Sequence, residues 1–128
     1  MIIDRIDHIV LTVASVEATI DFYERVLGMT AITFAGGRKA LTFGRQKINL
    51  HPSPSPYPEI AKSPTAGSGD FCLITETPID DVITHLQAHD VEVEVGPVPK
   101  SGAMGPLNSV YFRDPDGNLV EVSNYTDE

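Results

Sequence analysis

Four positions spread along the chain carry side chains that could act together on a divalent metal ion. They are His8, Asn49 or His51, Asp70 and Glu121. Imidazole and carboxylate groups that converge on one point form a mixed nitrogen and oxygen donor set, which suits Zn, Fe(II), Ni, Co or Mn. Three such ligands would leave coordination positions open for water or substrate.

Glu121 lies in a stretch whose hydrophobic pattern predicts a β-hairpin. The alternating run SVYF ends at Phe112, DPDG is typical of a turn, and LVEVS resumes the alternation. Glu121 therefore shares a strand face with Leu119 and Ser123, where an apolar residue would be usual. Burying a carboxylate is costly unless a cation or hydrogen bonds compensate. Glu121 is expected to have such a partner.

The first strand and helix are predicted by two different periods of apolar residues. In IDHIVLTV, at 6–13, His8 alternates with apolar residues that point to the opposite face. A helix over about 16–27 is expected to cover that apolar face, with Ser15 as its cap and Gly28 at its end. The expected apolar stripe of the helix is Val16, Ile20, Tyr23 and Leu27.

Three further strands complete a β-α-β-β-β module in the first half of the chain, at about 29–35, 38–44 and 46–51. In the last of them Asn49 and His51 share the face that points away from the helix. Arg38 and Lys39 flank a glycine turn, and we expect both to be solvated.

The second half repeats this pattern after a segment at 53–68 that is rich in Pro, Gly and Ser. Such a segment is either a linker or a functional lid. The repeat places Asp70 where the first module has His8. Its expected elements are strands at 70–75, 91–95, 109–113 and 118–124, a helix at 78–89 with the apolar stripe Ile79, Val82, Ile83 and Leu86, and a loop at 96–108.

The two modules are expected to form a single domain. Module 1 would span about 1–52 and module 2 about 69–128, and the predicted class is α+β. Neither module can bury its sheet alone, so the eight strands are expected to form one curved mixed sheet, a cup with the helices outside. Ser109 and Tyr111 would then project into the cup.

Composition excludes several classes of function. The net charge is −9 and the nine Lys and Arg residues are scattered, which disfavours nucleic acid and acidic membranes as partners. No apolar run approaches the length of a membrane span, and no signal peptide is recognisable, so a cytoplasmic protein is expected. The single cysteine, Cys72, fits a reducing compartment, and core packing is its expected role.

The whole chain resembles the vicinal-oxygen-chelate superfamily, and the small glyoxalase-domain proteins in particular. The matching motifs are DHIVLTV, IDFYERVLGM and FRDPDGNLVEV, which cover both halves. The resemblance implies a glyoxalase-like cup, a homodimer, a divalent metal, and a thiol cosubstrate such as glutathione in some members.

The resemblance assigns roles to individual residues. The family's first-strand metal ligand falls on His8 and its C-terminal glutamate on Glu121. Asp70 stands where many members have a histidine, and Asn49 stands at the fourth-strand glutamate of glyoxalase I. His51 could replace that missing ligand or act as a base. Substrate-binding candidates are Asn49, Ser109 and Tyr111, the last two resembling the Ser and Tyr of the fosfomycin enzymes, and Lys100 as a cation.

Three hypotheses for the function remain open. The first is a metal-dependent glyoxalase-like lyase or isomerase that chelates two adjacent substrate oxygens, stabilises an enediolate and uses Glu121 or His51 to move a proton. The second is an oxygenase like the extradiol dioxygenases, which use two histidines and one glutamate at ferrous iron. The third is a metal-free drug-binding protein of the bleomycin-resistance kind, which the acidic charge suits.

Overall fold

The computed structural model describes residues 1–127 and contains two compact units that meet in sequence between Gly67 and Ser68. Each unit is a β-α-β-β-β module. The first contains β1 (His8–Val13), α1 (Val16–Leu27), β2 (Thr30–Phe34), β3 (Arg38–Phe43) and β4 (Gln46–Pro52), and the second contains β5 (Asp70–Ile74), α2 (Ile79–Ala88), β6 (Val95–Gly102), β7 (Gly105–Arg113) and β8 (Leu119–Tyr125). The predicted α+β class is confirmed.

The eight strands are divided between two four-stranded mixed sheets with the same topology. The strand orders are β1-β4-β3-β2 and β5-β8-β7-β6. Strands β1 and β5, each at one edge of its sheet, are parallel to their neighbours, and the other pairings are antiparallel. This topology confirms the internal repeat. That the two modules make up a single domain stays a prediction.

Helix α1 begins and ends where its capping residues predict. The Ser15 hydroxyl accepts a 3.1 Å hydrogen bond from the Ala18 amide, and Gly28 ends the helix in the left-handed conformation at φ 66°. The predicted apolar stripe is displaced by about one position around the helix, because Ile20 and Leu27 are only half-buried. The buried side chains are instead Thr19, Phe22, Tyr23 and Val26.

The residues of β1 alternate between a buried face and the opposite face, as the sequence predicted. Leu11 and Val13 are buried, as are Ile48 and Leu50 beside them on β4. His8 and Asn49 lie on the other face of the same two strands. The apolar core of this unit therefore lies on one side of the sheet, and its chemical groups lie on the other.

The sequence-based prediction was wrong for β6. A strand was expected at 91–95 followed by a loop at 96–108, but β6 runs from Val95 to Gly102 and β7 begins at Gly105. Pro97 and Pro99 suggested a loop because proline lacks a backbone donor. Strand β6 is the edge of its sheet, where a missing donor on the open side is tolerated. Lys100 consequently lies on a strand.

The DPDG turn fixes the start of β5. The buried Asp114 carboxylate accepts hydrogen bonds from the backbone amides of Asp116 and Asn118 at 3.0 and 2.9 Å. The Asn118 side chain in turn accepts a 2.7 Å hydrogen bond from the Gly69 amide. The turn therefore anchors the residue that immediately precedes Asp70.

Candidate metal and substrate site

The candidate ligands of the two sheets occupy equivalent positions. His8 and Asp70 are the first residues of β1 and β5. Asn49 on β4 pairs with Val10, the second residue after His8. Glu121 on β8 pairs in the same way with the second residue after Asp70. Each sheet thus presents one potential ligand at the start of its outer strand and another on the adjacent strand.

The imidazole of His8 is held by a carboxylate on one side. Its Nδ1 lies 2.7 Å from Oδ1 of Asp7, and the side chain of His8 is 42% exposed. The hydrogen bond to His8, aided by the charges of Lys47 and Arg5, lowers the pKa of the Asp7 carboxyl. Within residues 1–127 the His8 ring makes no other hydrogen bond or ion pair. Metal-bound histidines are commonly oriented by a carboxylate in this way, so Nε2 is available as a ligand.

Asn49 and His51 are two buried polar residues on the same face of β4. Asn49 is 8% exposed, and its Oδ1 is buried without a hydrogen-bond partner among the described residues. His51 is 5% exposed. Burial, with a smaller contribution from the charge of Arg38, lowers the pKa of His51 and favours the neutral imidazole. A neutral imidazole can accept a proton or bind a metal.

Glu121 is half-buried and belongs to a network of hydroxyl groups. Its Oε2 accepts a 3.3 Å hydrogen bond from Ser123, whose hydroxyl lies 2.6 Å from that of Ser109 and 3.3 Å from the sulfur of Cys72. Ser109 is fully buried and reaches Glu121 through Ser123. The sequence analysis expected a partner for the Glu121 carboxylate, and this hydroxyl network supplies part of it.

Tyr111 pairs with Glu121 on the neighbouring strand β7. Burial and the nearby Glu121 carboxylate raise the pKa of Tyr111, so the phenol stays protonated. The Lys100 ammonium lies 5.7 Å from the centre of the Tyr111 ring. Asp70 is exposed at the start of β5 and pairs with Leu119, two residues before Glu121.

The predicted site residues are thus brought together within each sheet. The first sheet presents His8, Asn49 and His51 on one face, and the second presents Asp70, Glu121, Tyr111, Ser109 and Lys100. In the part of the chain that the structure describes, no three His, Cys, Asp or Glu side chains lie close enough together to hold a metal ion. The four-residue ligand set stays a prediction.

Three residues near these groups were missed by the sequence analysis. Cys72 was expected in the core, but it is exposed on the Glu121 face of β5, because it falls between Asp70 and Ile74 in the alternation. Arg38 was expected to be solvated, but it is half-buried with its guanidinium over the ring of Tyr57. Tyr57 belongs to the proline-rich segment, which has no periodicity that could have indicated this contact.

Comparison with known proteins decides the family. The model of the glyoxalase/bleomycin resistance protein/dioxygenase superfamily matches residues 5–122. The chain belongs to this superfamily. In the described residues, no helix combines the length and apolar character needed to cross a membrane.

Relatives within the superfamily match almost the whole chain. A virulence protein of Salmonella typhimurium, STM3117, is 54% identical over 98% of this chain and 87% of its own length. Its crystal structure has a TM-score of 0.97 and covers 98% of this chain. The glyoxalase domain-containing protein RDO1 of Mycosarcoma maydis is 48% identical over 95% of this chain and 69% of its own length. Lactoylglutathione lyase from Agrobacterium tumefaciens is 27% identical, with a TM-score of 0.71 and coverage of 94% of this chain and 92% of the other.

Proposed function

We propose that this protein is a metal-dependent lyase or isomerase of the glyoxalase type that acts on a small substrate with two adjacent oxygens. The observation that carries the proposal is the matched placement of His8 and Asp70, and of Asn49 and Glu121, in two sheets of equal topology. The similarity to a lactoylglutathione lyase supports the same reaction class.

The residues present fit a divalent metal in their chemistry. His8 has the carboxylate partner that orients a ligand histidine. Asn49 offers a buried oxygen without a hydrogen-bond partner among residues 1–127, and such an oxygen gains from a cation. We propose His8, Glu121 and Asp70 as ligands, with Asn49 or His51 contributing from β4. When bound, the cation would polarise the two substrate oxygens and stabilise the negative charge that develops on them.

Proton transfer is assigned to Glu121 or His51. The Ser123 hydroxyl donates a hydrogen bond to the Glu121 carboxylate, and Tyr111 pairs with Glu121 from strand β7. Burial lowers the pKa of His51, which favours the neutral imidazole. Either group can therefore accept a proton from a carbon beside the bound oxygens. A thiol such as glutathione would be a cosubstrate, and Lys100 and Tyr111 would contact the substrate. The fully buried Ser109 would act through its contact with the Ser123 hydroxyl.

Elemental analysis tests the proposal directly. We expect stoichiometric divalent metal in the wild type and its loss in His8→Ala and in Glu121→Ala. His85→Gln and Glu92→Ala, which lie outside the candidate site, are the matched controls and should retain metal. Hemithioacetal isomerisation should be present in the wild type and absent in the first two variants.

The same measurements separate the other two hypotheses. If the iron-loaded protein cleaves catechols and does not isomerise hemithioacetals, the oxygenase hypothesis is selected. The wild-type protein should also be purified without a chelator. If it then contains no metal, the enzyme proposal is overturned and a binding protein is favoured.

We also propose that the protein is a cytoplasmic homodimer. Strands β1 and β5 each form one edge of a described sheet, and open edges are usually covered by another chain or element. Sedimentation equilibrium of the purified protein tests this, and a monomer at all concentrations would contradict it.

A further inference from the structure

Arg38 is not part of the proposed metal site, but it is held in a defined position by an aromatic side chain. It begins β3, and its guanidinium carbon lies 4.2 Å from the centre of the Tyr57 ring. The same ring meets His51 edge to face, with the ring centres 4.9 Å apart and the planes at 66°. Arg38, Tyr57 and His51, which we call the arginine clamp, all belong to the first unit.

The charge of Arg38 is not neutralised by any carboxylate in residues 1–127. The chain contains eighteen acidic residues and only nine Lys and Arg. Arg5, Arg25 and Arg113 each form an ion pair with an acidic neighbour. Arg38 makes neither an ion pair nor a side-chain hydrogen bond within the described chain, although it is half-buried. A half-buried guanidinium that is left without an anion in so acidic a protein is available to an anion from outside.

The clamp also holds this guanidinium in place. Stacking on Tyr57 restricts the long arginine side chain, so less conformational freedom is lost when an anion binds. The planar fork of donors matches the two oxygens of a carboxylate. A lysine at this position would supply charge without that fork.

The clamp lies beside the candidate chemistry. Lys39 pairs with Leu50, so Arg38 falls opposite His51, on the face of the sheet that also carries Asn49. Arg38 and His51 both contact the ring of Tyr57, so the guanidinium lies beside the imidazole.

We propose that Arg38 binds a carboxylate of the substrate, so that the substrate of this protein is a small organic acid. This assignment rests on the proposed function, because it takes the His51 face as the face that the substrate meets. Tyr57 is a positioning residue that orients the guanidinium. The proline-rich segment at 53–68, to which Tyr57 belongs, thereby contributes to specificity.

Binding of succinate, with succinamide as its neutral counterpart, tests the inference without any need for turnover. Calorimetric titration of the protein should show binding of succinate that weakens with added salt and that exceeds binding of succinamide. Arg38→Gln should weaken succinate binding roughly tenfold to a hundredfold, the loss expected for a hydrogen-bonded charge. Arg45→Gln is the matched control, because Arg45 is an exposed arginine on the β3–β4 turn, and it should bind as the wild type does.

Three further variants protect the test against misfolding of Arg38→Gln. Arg38→Lys keeps the charge and should bind with intermediate affinity. Tyr57→Phe keeps the ring and should bind normally, whereas Tyr57→Ala should bind more weakly. Equal affinity of wild type and Arg38→Gln, or no preference of the wild type for succinate over succinamide, would overturn the inference. Metal content measured on the same preparations separates this failure from failure of the proposed function.

Discussion

The Nδ1 atom of His8 lies 2.7 Å from Oδ1 of Asp7, the residue that precedes it in the chain. The contact leaves Nε2 as the ring atom that faces no described partner. If His8 is a metal ligand, Asp7 determines the orientation of its ring and raises its basicity.

Asp7→Asn should therefore weaken metal binding without abolishing it. We expect a loss of about 10- to 100-fold in affinity, the usual effect of removing such a partner. Competition with a chromophoric chelator measures the change. Asp4→Asn, which removes an exposed carboxylate that pairs with Arg5, is the control. Equal effects of both substitutions would show that only the net charge near β1 matters.

Asn49→Leu should stabilise the metal-free protein while it reduces metal binding. Its Oδ1 is buried without a partner in residues 1–127, and its neighbours in the sheet are Val10 and Ala40. Removing an unsatisfied buried group among apolar side chains should raise the free energy of unfolding by about 1–3 kcal/mol. Urea unfolding after chelation measures this difference.

Asn124→Leu is the matched control for that experiment. The Asn124 side chain donates hydrogen bonds to the carbonyl oxygens of Thr75 and Thr77 at 2.9 and 2.8 Å. The same substitution should therefore destabilise the protein there. A loss of stability at both positions would contradict the interpretation of Asn49 as an unsatisfied site residue.

Some strands of this protein could be predicted from its sequence and others could not. Alternation of polar and apolar residues predicted β1 and β8, and with them the faces of His8 and Glu121, because each of these strands has one buried face. The same reasoning failed for β6, since its prolines are tolerated only through its position at a sheet edge. Edge position depends on strand order, which local composition does not show.

The candidate site was predictable only within each module. The face shared by Asn49 and His51 follows from the period of a strand. The contact of Tyr57 with Arg38 joins an irregular segment to a strand, and no local pattern encodes it. The hydroxyl network of Ser123 was equally hidden, since it depends on the register between β5, β7 and β8.

The thiol of Cys72 should report on the charge of Glu121. Although the residue is exposed, the protein atoms around its sulfur raise its pKa above the usual 9.0, the Ser123 hydroxyl lowers it, and Glu121 raises it further. Glu121→Gln should therefore speed alkylation of Cys72 by iodoacetamide at pH 8 by a few-fold, because the thiolate fraction rises. Ser123→Ala should slow it. A change of the same sign in both variants would contradict this description of the network.

His51 should make the stability of the protein depend on pH below neutrality. Burial and the charge of Arg38 lower its pKa in the folded state below the unfolded value of 6.5. The unfolded state then binds more protons, so the free energy of unfolding should fall as the pH drops from about 6.5 through the folded pKa. Urea unfolding of wild type and His51→Gln at several pH values measures the difference. If the free energy of unfolding falls no more steeply with decreasing pH in the wild type than in His51→Gln, His51 is not the source of the pH dependence.

The edge formed by β6 has a consequence for assembly. Pro97 and Pro99 have no amide hydrogen to offer, so an incoming strand from another molecule would find donors missing along this border. Growth of the sheet in that direction is therefore disfavoured. Uncontrolled polymerisation by strand addition to β6 is thereby discouraged.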